Sequence, residues 1–151
     1  NNRGQLSDTC CREGNMAQRE DMLALIRSAY AARDNDDADG LVSAFHPDGL
    51  FSLKGDKNAL ELTGSMQGHP TLRGGFSQLI KDFGFGGREI LAELVDGDRV
   101  AIHSRVNVKY HPTGKTFSTE ILDLFRIQDG KIVELVEFAD TAQVKAMIAA
   151  Q

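Results

Sequence analysis

The sequence predicts an α+β domain, with helices in the first half and an antiparallel sheet after them. Three observations carry this expectation. Apolar residues recur at helical spacing through the first half of the chain. From Arg88 onward the spacing changes to two, the period of a half-buried strand. The segments beyond that change are separated by Asp96-Gly97, Pro112-Thr113-Gly114 and Asp129-Gly130, which are hairpin signals because Gly supplies the positive φ of a tight turn. Helices and strands in separate blocks mark α+β architecture.

Met22, Ile26, Ala29, Tyr30 and Arg33 share one helical face, which predicts a first helix over Gln18 to Asp34. The acidic cluster Asp34 to Asp39 holds N-cap candidates for a short second helix burying Leu41, Val42 and Phe45. His46-Pro47-Asp48-Gly49 stops that helix, and Leu50 to Lys54 reads as a short strand. Gly55 to Pro70 is polar and reads as a loop, long enough to rim a binding site. Leu72, Phe76, Leu79, Ile80 and Phe83 then set a third helix over Thr71 to Phe83. Strands follow at Arg88–Val95, Arg99–Tyr110, Phe117–Ile127 and Lys131–Asp140, and Thr141 caps a last helix carrying Val144, Met147 and Ile148.

Composition narrows the class. A chain of 151 residues is one domain with room for a real core. Its net charge of -5, from 22 acidic and 17 basic residues, speaks against nucleic acid or anionic membrane as the main partner. No apolar run approaches the roughly 20 residues of a membrane span. Residues 1–15 are polar and are expected to form a disordered extension, with the domain over 16–151. The only cysteines, Cys10 and Cys11, are adjacent in that extension, where strained geometry disfavours a mutual bridge. A remainder free of cysteine suits the cytoplasm. No His, Cys or Asp spacing suggests a metal site and no Gly-rich loop suggests a phosphate, so no cofactor is expected.

One strand breaks its own pattern. Phe117, Thr119, Ile121, Asp123, Phe125 and Ile127 share a face, and Asp123 stands among apolar neighbours. A buried carboxylate must find a partner or shift its pKa upward, and either outcome is chemically useful. The same residue could equally be a structural carboxylate satisfied by backbone or tyrosine donors. On the preceding strand, Val100, Ile102, Val106 and Val108 form one face, and His103, Arg105, Asn107 and Lys109 the other. The polar row is either solvated or lines the concave side of a curled sheet. In the second case, the valine-rich face would be free for a partner subunit.

Two stretches carry a family resemblance. Asp39-Gly40-Leu41-Val42 and Phe45-His46-Pro47-Asp48, within Ala32 to Phe51, look like a known helix–helix–strand opening. Ile121-Leu122-Asp123-Leu124-Phe125-Arg126-Ile127, followed by Asp129-Gly130-Lys131-Ile132-Val133-Glu134, resembles the matching closing hairpin. Both resemble the SnoaL-like and ketosteroid isomerase-like group of the nuclear transport factor 2-like superfamily, with limonene epoxide hydrolase more distant. The resemblance implies a cone-shaped α+β roll of the cystatin-like kind, a strongly curved sheet around three helices. It also implies a deep small-molecule pocket and a homodimer through the sheet. It would turn His103, Arg105 and Asn107 toward the pocket beside Asp123.

Position by position the resemblance is partial. Asp123 falls where ketosteroid isomerase has a protonated aspartic acid that donates to the enolate, a worked case of a raised carboxyl pKa. Leu53 stands where that enzyme has its base, and Ala29 where it has its tyrosine, one position from Tyr30. Arg105 and Asp140 match part of the epoxide hydrolase acid–base set, but Asn107 replaces its other aspartate. The polyketide cyclases of the SnoaL-like group, which use one pocket aspartate, fit best. The expected chemistry is therefore cofactor-free acid–base work on a small, largely apolar molecule. Asp123 is the expected acid/base, with His103 and Arg105 as polar anchors and Asp140 as a further catalytic candidate. Tyr30, Phe51, Leu53, Asn107, Phe125 and Phe138 are the expected substrate contacts. The alternatives are a non-catalytic ligand-binding or dimeric accessory domain, and a diverged epoxide hydrolase using Asp140 with Arg105.

Overall fold

A computed structural model describes the backbone of residues 5–149 and the side chains from Gly14 to Ala149. Residues 1–4 and the thiols of Cys10 and Cys11 lie outside the described residues. The chain runs through α1 (Gln5–Asp34), α2 (Ala38–Ser43), β1 (Phe45–Leu53), β2 (Gly64–Gln67), α3 (His69–Asp82), β3 (Phe83–Asp96), β4 (Arg99–Tyr110), β5 (Lys115–Gln128), β6 (Lys131–Ala139) and α4 (Thr141–Ala149). It is an α+β fold in which one curved sheet of six strands packs against the helices.

The strand order is β2-β1-β6-β5-β4-β3. Neighbours are antiparallel except β1 and β6, which run parallel. The hairpin from β5 to β6 turns on Asp129 and Gly130, both at positive φ, as a two-residue turn matching the strand twist requires.

Register decides which face of the sheet meets the helices. Val100 pairs with Phe125, Ile102 with Asp123 and Ser104 with Ile121. Directly paired residues share a face, so the even-numbered row of β4 and the odd-numbered row of β5 point the same way. Both rows are buried. They meet Met22, Leu23, Ile26, Ala29 and Tyr30 of α1, Leu41 and Val42 of α2, and Leu72 and Phe76 of α3 in the main core. A second cluster, Phe83, Val106, Val108, Tyr110 and Ile121, is covered by Val144, Met147 and Ile148 of α4.

Several elements differ from the sequence expectation. The first helix starts at Gln5 rather than near Gln18, so the expected unstructured extension enters α1. Phe45 opens β1 instead of closing α2, because it pairs with Ile132. The ladder then breaks between Phe45 and Leu50, where Pro47 has no N–H to give. Gly64–Gln67 is a short edge strand inside the expected loop. β3 begins at Phe83, directly after α3, and its register shifts between Gly86 and Glu89. The cap of α4 is Asp140, whose Oδ1 accepts from the Gln143 N–H at 3.0 Å.

Candidate functional site

Asp123 sits mid-strand on β5, 1% exposed, between Ile102 of β4 and Glu137 of β6. Its Oδ2 accepts from the Tyr30 hydroxyl at 2.6 Å. Its Oδ1 meets no donor. Glu137, paired directly across the ladder, becomes its hydrogen-bond partner when one of the two carboxyls carries a proton. Burial first, then the charge of Glu137, holds the Asp123 carboxyl well above the ordinary carboxylate range. The Tyr30 hydrogen bond and the charge of Arg88 pull weakly the other way. Burial and the same carboxyl push the Tyr30 hydroxyl up, so it stays a donor across the whole working range.

Two arginines frame this pair. Arg88, at the irregular start of β3, gives Asp34 two hydrogen bonds of 2.8 Å and lies over the Tyr30 ring at 4.0 Å. Burial opposes its charge, but the bonds to Asp34 outweigh that and hold the guanidinium above its ordinary range. Arg33, one helical turn beyond Tyr30 on α1, donates from Nη2 to the Phe83 carbonyl at 2.7 Å and stacks on Phe85 at 3.8 Å. Burial pulls Arg33 down to about 10, against the opposing pull of Glu137 and Asp34. It remains a cation at neutral pH.

All these groups line one cavity of about 100 Å³. Phe45, Phe51, Leu53, Phe76, Phe125 and Leu135 supply much of its apolar wall, and Asp123, Glu137, Tyr30, Arg33, Arg88 and Thr119 its polar points. A small apolar space with a few convergent polar groups and a displaced carboxyl pKa has the character of a ligand site. Among the described residues no group of three or more His, Cys, Asp and Glu could hold a metal ion.

The family model for the SnoaL-like domain matches residues 26–135, most of the chain and most of the core just described. The chain belongs to the SnoaL-like family. Solved structures agree on the fold. A candidate isomerase from Bacillus subtilis superposes with a TM-score of 0.78 at 12% identity, covering 87% of this chain and 95% of that one. A candidate polyketide cyclase from Xanthomonas campestris pv. campestris gives 0.70 at 17%, covering 86% and 98%. A hypothetical protein with a ketosteroid isomerase-like fold from Catenulispora acidiphila, in complex with trimethylamine, gives 0.64 at 17%, covering 75% and 82%. No protein of curated function matches the chain.

Within this SnoaL-like fold the residues singled out from sequence separate into two groups. Asp123, Tyr30, Phe51, Leu53 and Phe125 line the cavity together. His103, Arg105 and Asn107 do not, which corrects the expectation drawn from the resemblance. Ile102 pairs with Asp123, so the odd-numbered row of β4 faces away from the helices. There Arg105 meets Glu89 and Glu120 at 3.3 and 3.2 Å, and His103 meets Glu120 at 3.7 Å, all largely in solvent. Phe138 pairs with Leu122 on that same outer face and is 44% exposed. Asp140 is exposed and occupied as the cap of α4, so an epoxide-opening pair of Asp140 with Arg105 has no shared cavity.

The valine-rich face is likewise the buried one. The outer face carries a leucine patch instead, with Leu94, Leu122, Leu124 and Phe138 exposed. Sequence reasoning missed Glu137, Arg33, Arg88 and Thr119. Arg33 did share the apolar stripe of α1, and Glu137 lies two residues from Leu135. Those were the available signals.

No helix among the described residues is long and apolar enough to cross a membrane.

Proposed function

We propose that the Asp123 cavity performs cofactor-free acid–base chemistry of the isomerase, cyclase or lyase type on a small, largely apolar molecule. The observation that carries this reading is the carboxyl pair lining the cavity, buried Asp123 directly across the ladder from half-buried Glu137, with the Tyr30 hydroxyl on Asp123. Asp123 enters neutral and gives its proton to a substrate oxygen as Glu137 takes one from the adjacent carbon. One proton is gained and one lost, so no net charge builds in the apolar space. The new Asp123 carboxylate is held by the Tyr30 O–H and the positive charge of Arg88. The oxygen-bound proton then returns to Asp123 as Glu137 gives its proton to a different carbon, which completes an isomerisation and restores both carboxyls.

Solvent exchange tests this without a known product. In heavy water, wild-type chain should exchange the α-protons of a small enolisable carbonyl compound, read by proton NMR. Asp123→Asn should cut that rate by about 10²-fold or more while the fold persists. Undiminished exchange in Asp123→Asn ends the assignment.

A second reading, a ligand-binding or dimeric accessory domain, draws on the outer face. Leu94 is 68% exposed, Leu124 follows it across Ala101 in the register, Leu122 pairs with Phe138 on the same face, and a patch of that kind suits a protein interface. We take a homodimer through this face as compatible with either role. A reducing cytoplasm suits a chain whose only thiols are Cys10 and Cys11.

A further inference from the structure

Among the described residues, three buried side-chain atoms have no hydrogen-bond partner: Arg33 Nη1, Thr119 Oγ1 and Asp123 Oδ1. All three residues line the same cavity. Leaving such an atom unsatisfied costs about 1–3 kcal/mol, and native proteins satisfy the large majority. Three together on one cavity form a pattern. Asp123 Oδ1 is answered by Glu137 whenever the two carboxyls share a proton. Arg33 Nη1 has no such answer.

The guanidinium is also held in place. Its Nη2 is fixed on the Phe83 carbonyl and its plane on the Phe85 ring, so the direction in which Nη1 can donate is set by the planar fork. The neighbouring cation, Arg88, already has Asp34 as a two-point partner. Arg33 forms no ion pair among the described residues. The cavity therefore presents a fixed, half-buried cation whose buried Nη1 has no partner.

We propose that the occupant of this cavity is a small hydrocarbon-framed carboxylate, one of whose oxygens accepts from Arg33 Nη1. Charge-assisted bonds of this kind are the strong ones, and a low-dielectric wall of phenylalanine and leucine strengthens them further. Size restricts the frame: a cavity of roughly 150 Å³ takes benzene, and this one is about 100 Å³. The hydrocarbon part is thus smaller than a benzene ring. The inference rests on the cavity being the working site, as in the acid–base reading, and adds which end of the substrate is recognised.

The test is a binding titration of the full chain by NMR with three probes: pentanoate, 2,4-pentanedione and 1-pentanol. Pentanoate should bind at least about tenfold tighter than the dione or the alcohol, the ratio expected of one charge-assisted hydrogen bond. Preference for the dione alone, as an enolate formed in place, overturns the carboxylate. Arg33→Met should bring the ratio to about one while keeping 1-pentanol binding, and Arg33→Lys should retain part of it. Should Arg33→Met not fold, the wild-type Arg33 side-chain nitrogen resonances decide. They must move with the preferred probe and stay still with 1-pentanol. Equal binding of all probes, no binding at millimolar concentrations, or a preference that survives in Arg33→Met overturns the proposal. Asp123→Asn separates the two readings, since it should lose proton exchange and keep the preference. Exchange without the preference would sink only the role of Arg33.

Discussion

The Tyr30 hydroxyl reaches from α1 to Asp123 Oδ2 at 2.6 Å, across 93 positions of sequence, and ties the first helix to the centre of the sheet. Because this bond favours the ionised carboxyl, its loss should raise the Asp123 pKa further. Tyr30→Phe is therefore expected to move the Asp123 titration to higher pH, as followed by carboxyl carbon NMR. Stability should fall by about 1 kcal/mol in denaturant unfolding. An unmoved titration would show that the bond does not tune the carboxyl.

Asp123 should also make stability depend on pH in a definite direction. Its folded pKa lies above its unfolded value, so the native state holds the proton more tightly. The contribution is fully present below about pH 4, the unfolded value, and is lost as pH rises through the folded one. Asp123→Asn keeps an acceptor for Tyr30 and has no proton to lose. It should melt higher than wild type at pH 8, by at least about 2 °C, with the gap closing toward pH 4. A gap independent of pH would contradict this.

Arg88 and Asp34 form a largely buried pair, their side chains 10% and 22% exposed. Removing one partner strands the other, so Asp34→Asn or Arg88→Met alone should cost about 3 kcal/mol. Asp34→Asn combined with Arg88→Met should cost less than the two changes summed, measured as a double-mutant cycle.

The polar row on the outer face should be nearly silent. Arg105→Ala and His103→Ala each break contacts among half-exposed groups, worth at most about 0.5 kcal/mol. Neither should change proton exchange by more than about twofold. A large loss of exchange in either variant would return these residues to the site.

The leucine patch makes a prediction about assembly. Leu124→Glu with Phe138→Glu places two charges where apolar side chains are exposed. If the outer face joins two copies, sedimentation should shift from dimer to monomer with the core intact. A wild-type chain that sediments as a monomer at every concentration refutes the dimer.

What the sequence made legible follows the strength of each local signal. Arg99–Tyr110 was read with its observed limits because strict alternation is bounded by turn residues on both sides. Gly64–Gln67 was invisible, since a short, largely exposed edge strand needs no apolar alternation. Asp123 stood out as a charge on an apolar face, and that face is buried. Which neighbours it meets depends on register across two ladders, and no single strand encodes that. The polar row of β4 was turned inward by resemblance, whereas its pairing parity with β5 turns it outward. Arg88 was hidden because the register shift after Gly86 breaks the alternation that would have placed it.

The parallel pairing of β1 with β6 has a consequence for how the chain is made. β1 leaves the ribosome first of the six strands, and its central neighbour in the sheet leaves last. Until Lys131–Ala139 emerges, β1 has only the short edge strand β2 to pair with in the sheet. Synthesis proceeds at about 5–20 residues per second, so this half-built surface stays open for several seconds. Long-range pairing of this kind also slows folding once the chain is complete. The cavity, walled by both strands, would therefore assemble at the end of synthesis, and a nascent chain lacking β6 is the form most in need of a chaperone.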